Sequence, residues 1–360
     1  MKLYAITILL FCVGSLTPAQ DKSFSDGIRI NGFFSGSYNY NFNNPPDNKI
    51  KFRVFDFDNN SFKIDVFELS AKKDAENPGD AGFRFDITTG SSIPAITRSY
   101  GLASGDIDFH QMFVSYITPL GSGIRLDIGK FITPFGMEVI EGYDGYNDNY
   151  SHSFNFGYSI PYTHTGLRAS YNFSEATKFE LFVVNGWDNA IDNNKSKSLG
   201  IQLNISPLPG LSIIPGFMYG PEKTDNNHDN RALVDIVTTY SLSESIAIGL
   251  NFDYGNEPNS PAENETAEWF GLTGYFKYII NKIYSIALRC EEFDDKYGIR
   301  TGTVQKLTAI TFTPSVNLNN SLILRSDLRF DKSDENVFTD NNSRLTDLQI
   351  TAGLNLIYIF

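Results

Sequence analysis

The side chains best equipped for chemistry crowd between Gly129 and Phe173. Glu138, Glu141, Asp144 and Asp148 lie on a stretch that Pro134 and Gly136 can turn sharply and that Pro161 can end at the edge of a following strand. Nearby segments carry Arg84, Arg125, His164 and Arg168, with Arg29 further towards the N-terminus. Acids on one segment facing bases on another set up a transverse field across a narrow opening, and charged rings of this kind bias the passage of polar and ionic solutes. The plainer reading, in which the same acids only solvate an exposed loop, stays open from the residues alone.

Other chemistries are less well supported. Ser151-His152-Ser153 beside Asp148 has the residue types of a nucleophile, a base and an orienting group. Adjacency does not create that geometry, because triad members converge from distant positions. No catalytic residue is assigned, and the chain is expected not to be an enzyme. Asp56, Asp58, Asn59 and Asn60, and separately Asp334, Glu335 and Asp340, gather oxygen ligands. Neither group has the sixth-position glycine and distal glutamate of a calcium loop, so no metal and no cofactor are expected. Glu257, Glu263, Glu265 and Glu268, together with Glu291, Glu292, Asp294 and Asp295, read as an acidic outer rim, and His228 as an exposed loop residue.

The elements that must position these residues show a period of two along the chain, with no convincing helical stretch. At the C-terminus Leu348, Ile350, Ala352, Leu354, Leu356, Tyr358 and Phe360 share one face, opposite Asp347, Gln349, Thr351, Gly353 and Asn355. The same split sets Leu324, Leu328 and Phe330 against Arg325, Asp327 and Arg329, and Leu167, Ala169, Tyr171 and Phe173 against His164, Arg168 and Asn172. One face is apolar and the other charged, which suits a barrel with lipid outside and water inside.

The breaks between these segments alternate in length. Long ones fall near 42–60, 89–108, 133–162, 187–197, 220–230, 255–266, 293–303 and 331–344; short ones fall near 73–81, 119–122, 173–177, 206–210, 241–245, 280–282 and 314–320. Eight long and seven short connections join sixteen strands and leave both ends on the short-connection side. A sandwich or propeller has no reason to sort its loops by parity. The expected fold is all-β: a transmembrane antiparallel up-and-down β-barrel of about sixteen strands. The segment Phe62 to Ala71 alternates poorly, so fourteen or eighteen strands also fit. Strict alternation with Ile124, Leu126 and Ile128 aims Lys130 at lipid unless a bulge at Gly129 flips the parity. Tyr38, Tyr40, Tyr116, Tyr171, Tyr219, Tyr240 and Tyr254 stand near strand ends, where interfacial girdles belong, and Trp187 and Trp269 are further girdle candidates.

Composition fits this reading. Of 360 residues 41% are hydrophobic, as expected where half of each strand faces water, and the 30 Phe and 19 Tyr suit a lipid-facing belt. Beyond the first residues no run approaches the ~20 apolar residues of a membrane helix. A net charge of −13 argues against nucleic acid as a partner. Lys2, the apolar run Leu3 to Val13 and Thr17-Pro18-Ala19 form a secretory signal peptide over 1–19, leaving 20–360 as the barrel. Its loss takes Cys12, so that Cys290 has no partner for a disulfide.

The run Gly129-Lys130-Phe131 with Thr133-Pro134-Phe135-Gly136 and Glu138, followed by Pro161, Thr163, His164, Thr165, Gly166 and Arg168, resembles the OmpL-like family of bacterial outer-membrane β-barrel porins. The motif covers about 45 residues; elsewhere the likeness is in strand pattern, leader and terminal Phe360. The resemblance implies a passive outer-membrane channel. The expectation is therefore diffusion of small hydrophilic solutes through a polar lumen narrowed by the 133–162 loop. Alternatives are a specific channel for oligosaccharides or anions, and a non-conducting structural or adhesin barrel. Expected partners are outer-membrane lipid and lipopolysaccharide, the barrel-assembly machinery through Phe360, and a second copy of the chain as a homo-oligomer.

Overall fold

The computed structural model describes residues 26–92 and 107–360. The leader at 1–19 and most of the second long connection lie outside the described residues. The strands are β1 (Arg29–Asn41), β2 (Ser61–Lys73), β3 (Ala81–Thr89), β4 (Ile107–Ile117), β5 (Arg125–Ile132), β6 (Thr163–Ser174), β7 (Thr177–Val184) and β8 (Ser198–Leu208). They continue as β9 (Leu211–Pro221), β10 (Asn230–Ser241), β11 (Ile246–Pro258), β12 (Thr266–Ile279), β13 (Tyr284–Asp295), β14 (Gln305–Asn317) and β15 (Leu322–Ser333). A small hairpin, β16 (Phe338–Thr339) with β17 (Leu345–Thr346), decorates the last long connection before β18 (Leu348–Ile359).

Each barrel strand pairs antiparallel with its chain neighbours, and β1 pairs with β18, so β1–β15 and β18 close a sixteen-strand barrel without an edge. Among the described residues no helix is long and apolar enough to cross a membrane; the strands do so. Alternation accounts for their two faces. On β15 Arg325, Asp327, Arg329 and Asp331 are buried inside, whereas Leu328 and Phe330 stand exposed outside. On β18 Gln349, Thr351 and Asn355 point inward, and Leu348, Leu354 and Tyr358 point outward.

Departures from strict alternation have local causes. Ser35 faces Val66 and Gly36 faces Ile64, which leaves Asp65 unpaired in a bulge; this is why the second strand reads poorly as a period of two. A second bulge leaves His110 unpaired opposite Asp86 and Ile87. At Gly129 the register does not slip. Instead Gly129 takes φ +139°, and a Cβ there would stand 2.2 Å from the Met112 carbonyl oxygen. Lys130 beyond it is buried, with Nζ 3.1 Å from both carboxylate oxygens of Asp108, so it does not face lipid. The two tryptophans are not girdle members either. Trp269 is buried against the bare face of Gly255, and Trp187 packs edge-on against it at 6.2 Å.

Candidate functional site: the filled lumen

The segment 133–162 leaves β5 and turns into the barrel. Its ends are tied by the Thr133 amide donating to the Tyr162 carbonyl. The Phe135 ring covers Gly216 of β9, where any side chain would collide with it. Gly136, at φ +85°, makes the turn and donates its amide to Asp235 of β10 at 3.2 Å. Met137 donates to Asn251 of β11 at 3.0 Å. The chain then descends towards the short-connection end and returns along β1 and β15 to a short helix, α1 (Phe154–Ser159). Ser153 caps that helix by accepting the Phe156 amide, and Trp269 Nε1 donates to the carbonyl of Ser159, its last residue.

All four acids of the segment meet a cation on the wall. Arg289 of β13 donates to Glu138 at 3.1 Å, and the Tyr275 hydroxyl adds a second bond at 3.0 Å. Arg325 of β15 grips both oxygens of Glu141 at 2.8 and 3.0 Å. Arg84 of β3 pairs with Asp144 at 2.8 Å, and Lys277 of β12 with Asp148 at 2.6 Å. Tyr150 ties the return limb to the wall: its hydroxyl donates to Ser37 of β1 at 2.8 Å, and its amide to Asp327 of β15 at 3.1 Å.

The other sequence candidates fall elsewhere. Arg125 and Arg168 both bind Asp127 on the wall, at 2.9 and 2.7 Å, and meet no loop acid. They line a vestibule of about 470 Å³ with Glu76, Lys178 and Glu180 at the short-connection end. His164 is buried among Phe131, Phe135 and Phe182, within 3.2 Å of the Gly186 carbonyl and 3.1 Å of Thr133 Oγ1. Ser151 donates to Asp327, His152 stacks on Phe156 and Phe55, and Asp148 pairs with Lys277, so these residues do not form a triad. Among the described residues no group of three or more His, Cys, Asp or Glu is arranged to hold a metal. Asp56 instead binds Arg53 at 2.6 Å.

Several charged residues of the lumen were not among the sequence candidates. Arg289, Arg325 and Arg329 are buried in a network with Glu291 and Asp331. Glu291 thus belongs to the lumen, not to an outer rim, whereas Asp295 is buried at the end of β13, where it accepts the amides of Arg300 and Thr301 from the following long connection. Arg53 from the first long connection reaches Asp331 at 2.8 Å, so a second segment enters the barrel. The inward parity of β15 was readable; the depth reached by the two loops was not. At the long-connection end, burial pushes the Glu222 carboxyl up to about 7, although Ser198 and the Trp187 amide donate to it, both at 2.6 Å. Burial likewise raises Asp188, which accepts the amides of Tyr162 and Thr163 where the inward segment ends.

A closed sixteen-strand barrel with connections sorted by length defines the porin class of outer-membrane channel. Residues 27–360 match the family described as "Putative beta-barrel porin-2, OmpL-like", and the chain belongs to that family. Among curated proteins none matches. Among solved structures the chain is similar to the outer membrane channel DcaP of Acinetobacter baumannii, at 12% identity and TM-score 0.63, over 92% of this chain and 97% of that one. It is similar to OprB of Pseudomonas putida, at 12% identity and TM-score 0.62, over 93% and 95%. A third likeness is the anion-selective porin from Comamonas acidovorans, at 12% identity and TM-score 0.61, over 92% and 99%. At these identities the likeness establishes the fold.

Proposed function

We propose that this outer-membrane porin passes small hydrophilic solutes by diffusion, along a polar lumen narrowed by the inward segment 133–162. One observation carries the reading: Glu138, Glu141, Asp144 and Asp148 each pair with a cation on a different strand, β13, β15, β3 and β12. A loop anchored at four points around the wall sets the bore, and its charges set which ions pass. The working form sits in outer-membrane lipid and lipopolysaccharide and reaches it through the barrel-assembly machinery by way of Phe360. A homo-oligomer is compatible with this; OmpT of Vibrio cholerae has been solved in a trimer form.

Purified protein in a planar bilayer tests the reading. Ion conductance is expected, and its absence overturns the channel. The double variant Glu138→Gln, Glu141→Gln is expected to shift the reversal potential in a salt gradient; an unchanged potential removes the segment from the path. A second reading, a barrel that is closed at rest, is favoured by the burial of Arg289, Arg325, Arg329 and Glu291 beneath the segment. Under that reading conductance comes in rare, long openings.

A further inference from the structure

At the short-connection end the charges of the wall are layered, with acids behind and cations in front. Arg125 of β5 and Arg168 of β6 converge on one carboxylate, that of Asp127. Arg125 Nε donates to Asp127 Oδ1 at 2.9 Å, and its Nη2 to Ser115 Oγ at 2.8 Å. Arg168 Nε and Nη2 donate to Asp127 Oδ2 at 3.0 and 2.7 Å. Among the described residues Nη1 of each arginine has no hydrogen-bond partner. Two guanidiniums on one carboxylate leave one positive charge uncompensated. The Asp127 side chain is 2% accessible, against 35% for Arg125 and 18% for Arg168, so the vestibule meets the cations first. Lys178 and Glu180 of β7 repeat the layering, an exposed cation 2.6 Å from a buried acid.

Strand register gathers neutral groups among these charges. Ser170 of β6 stands between Arg125 of β5 and Glu180 of β7, and Asn172 stands opposite Lys178. Directly opposed side chains are ~5 Å apart at Cβ. The three cations therefore surround a hydroxyl and an amide, both able to donate to a solute or accept from it. From β8 only Gln202 and Asn204 adjoin the site, opposite Glu180 and Lys178. Glu76, exposed on the connection after β2, is the remaining acid of the lining. Arg168 closes the inner end, its guanidinium carbon 4.7 Å from the centre of the Phe131 ring. The cavity of about 470 Å³ is of the size that small-molecule sites have.

We propose that this vestibule is a binding site for an oxyanion, the carboxylate or phosphate of a small hydrophilic solute. A guanidinium offers N–H donors that match the oxygens of either group, and Lys178 adds a compact charge on a flexible stem. Ser170 and Asn172 take up neutral polar groups beside the anion. In outer-membrane barrels the short connections face the periplasm, so a bound solute stands at the inner exit of the lumen.

The site rests on the wall alone; its use as an exit station rests on the channel reading, and the test separates the two. Purified barrel in detergent at low ionic strength is titrated calorimetrically with inorganic phosphate, sodium glucuronate and glucose. Saturable binding of phosphate, glucuronate or both is expected, weakening as salt is added, and none of glucose. Binding of one anion alone names the oxyanion that the site takes. Arg168→Gln is expected to weaken binding at least tenfold. Asn172→Asp serves if that variant folds poorly, because Asn172 is exposed; its added carboxylate is expected to abolish binding, and Glu76→Gln to tighten it. Failure of both anions to bind overturns the site. So does glucose binding as strong as theirs, or anion binding that Asn172→Asp leaves unmoved. In a planar bilayer, whichever anion binds is expected to lower conductance more from the short-connection side than from the other, and Asn172→Asp to remove the asymmetry. Equal block from both sides overturns the exit station. If the barrel never conducts, the channel reading falls and calorimetry still decides the site.

Discussion

The inward segment packs against two sectors of the wall by opposite means. Along β13 to β15 the inward segment meets charge: Arg289, Arg325 and Arg329 are buried, and each has carboxylate partners within 3.3 Å. Along β4 to β9 it meets aromatic rings. Phe113, Phe131, Phe135, Phe182 and Met218 form one buried cluster, and Arg125, Asp127 and Arg168 line the vestibule below. Buried ion pairs are costly to leave half-made but add little net stability against an apolar packing of the same shape. The charged sector therefore fixes where the segment sits, and the aromatic sector supplies more of the free energy that keeps it there.

The largest effect is expected in the charged sector. Arg329→Met leaves Glu291 and Asp331 buried with one guanidinium fewer and is expected to cost about 3–5 kcal/mol in urea unfolding from lipid vesicles. A loss below ~1 kcal/mol would mean that water reaches this network, and the contrast between the sectors would fail. Next comes Phe135→Ala, at about 3 kcal/mol, with a rise in conductance because the apolar layer is breached. Unchanged conductance would place the solute path wholly in the other sector.

A pH effect follows at the rim of the aromatic sector. Burial raises Glu222 from 4.5 to about 7, so folding favours its protonated form. That stabilisation is fully present below the unfolded value and is lost as pH rises through about 7. The urea midpoint is expected to fall across that window, and Glu222→Gln to flatten the fall; an equal slope in the variant would assign the titration elsewhere. The smallest effect belongs to Asp148→Asn. The Asp148–Lys277 pair is partly exposed, with side chains 43% and 36% accessible, and its loss is expected to stay under about 1 kcal/mol. A larger loss would show that this end of the segment is drier than it looks.

Most of the architecture was legible because a barrel writes itself locally. Leu324, Leu328 and Phe330 against Arg325, Asp327 and Arg329 give the two faces of β15 directly, and the sorting of connections by length gives the strand count. Asp65 hid the second strand, since a bulge breaks the period that reveals strands. Lys130 was left open between lipid and a parity flip at Gly129 for a related reason: the glycine there, at φ +139°, re-aims the chain without the register change of a bulge.

The site was less legible, because lumen contacts join residues far apart in sequence. Nothing local tells Glu138 to choose Arg289, 151 positions away, over Arg125 or Arg168. Those two arginines were already held by Asp127, a partner visible two residues from Arg125. Composition could not place Trp269 inside either. That depended on Gly255 leaving room for its ring.

Tyr150 bears on how the cylinder forms. Its hydroxyl donates to Ser37 on the first strand and its amide to Asp327 on β15, with β18 between them. It therefore bridges from within the seam at which the two ends of the sheet meet. Joining such remote ends is the entropically slow step in assembling a barrel. A segment docked on both flanks acts as a brace for that closure, so shutting the wall and filling the interior become one cooperative event. Shortening the segment would then slow assembly as well as widen the bore.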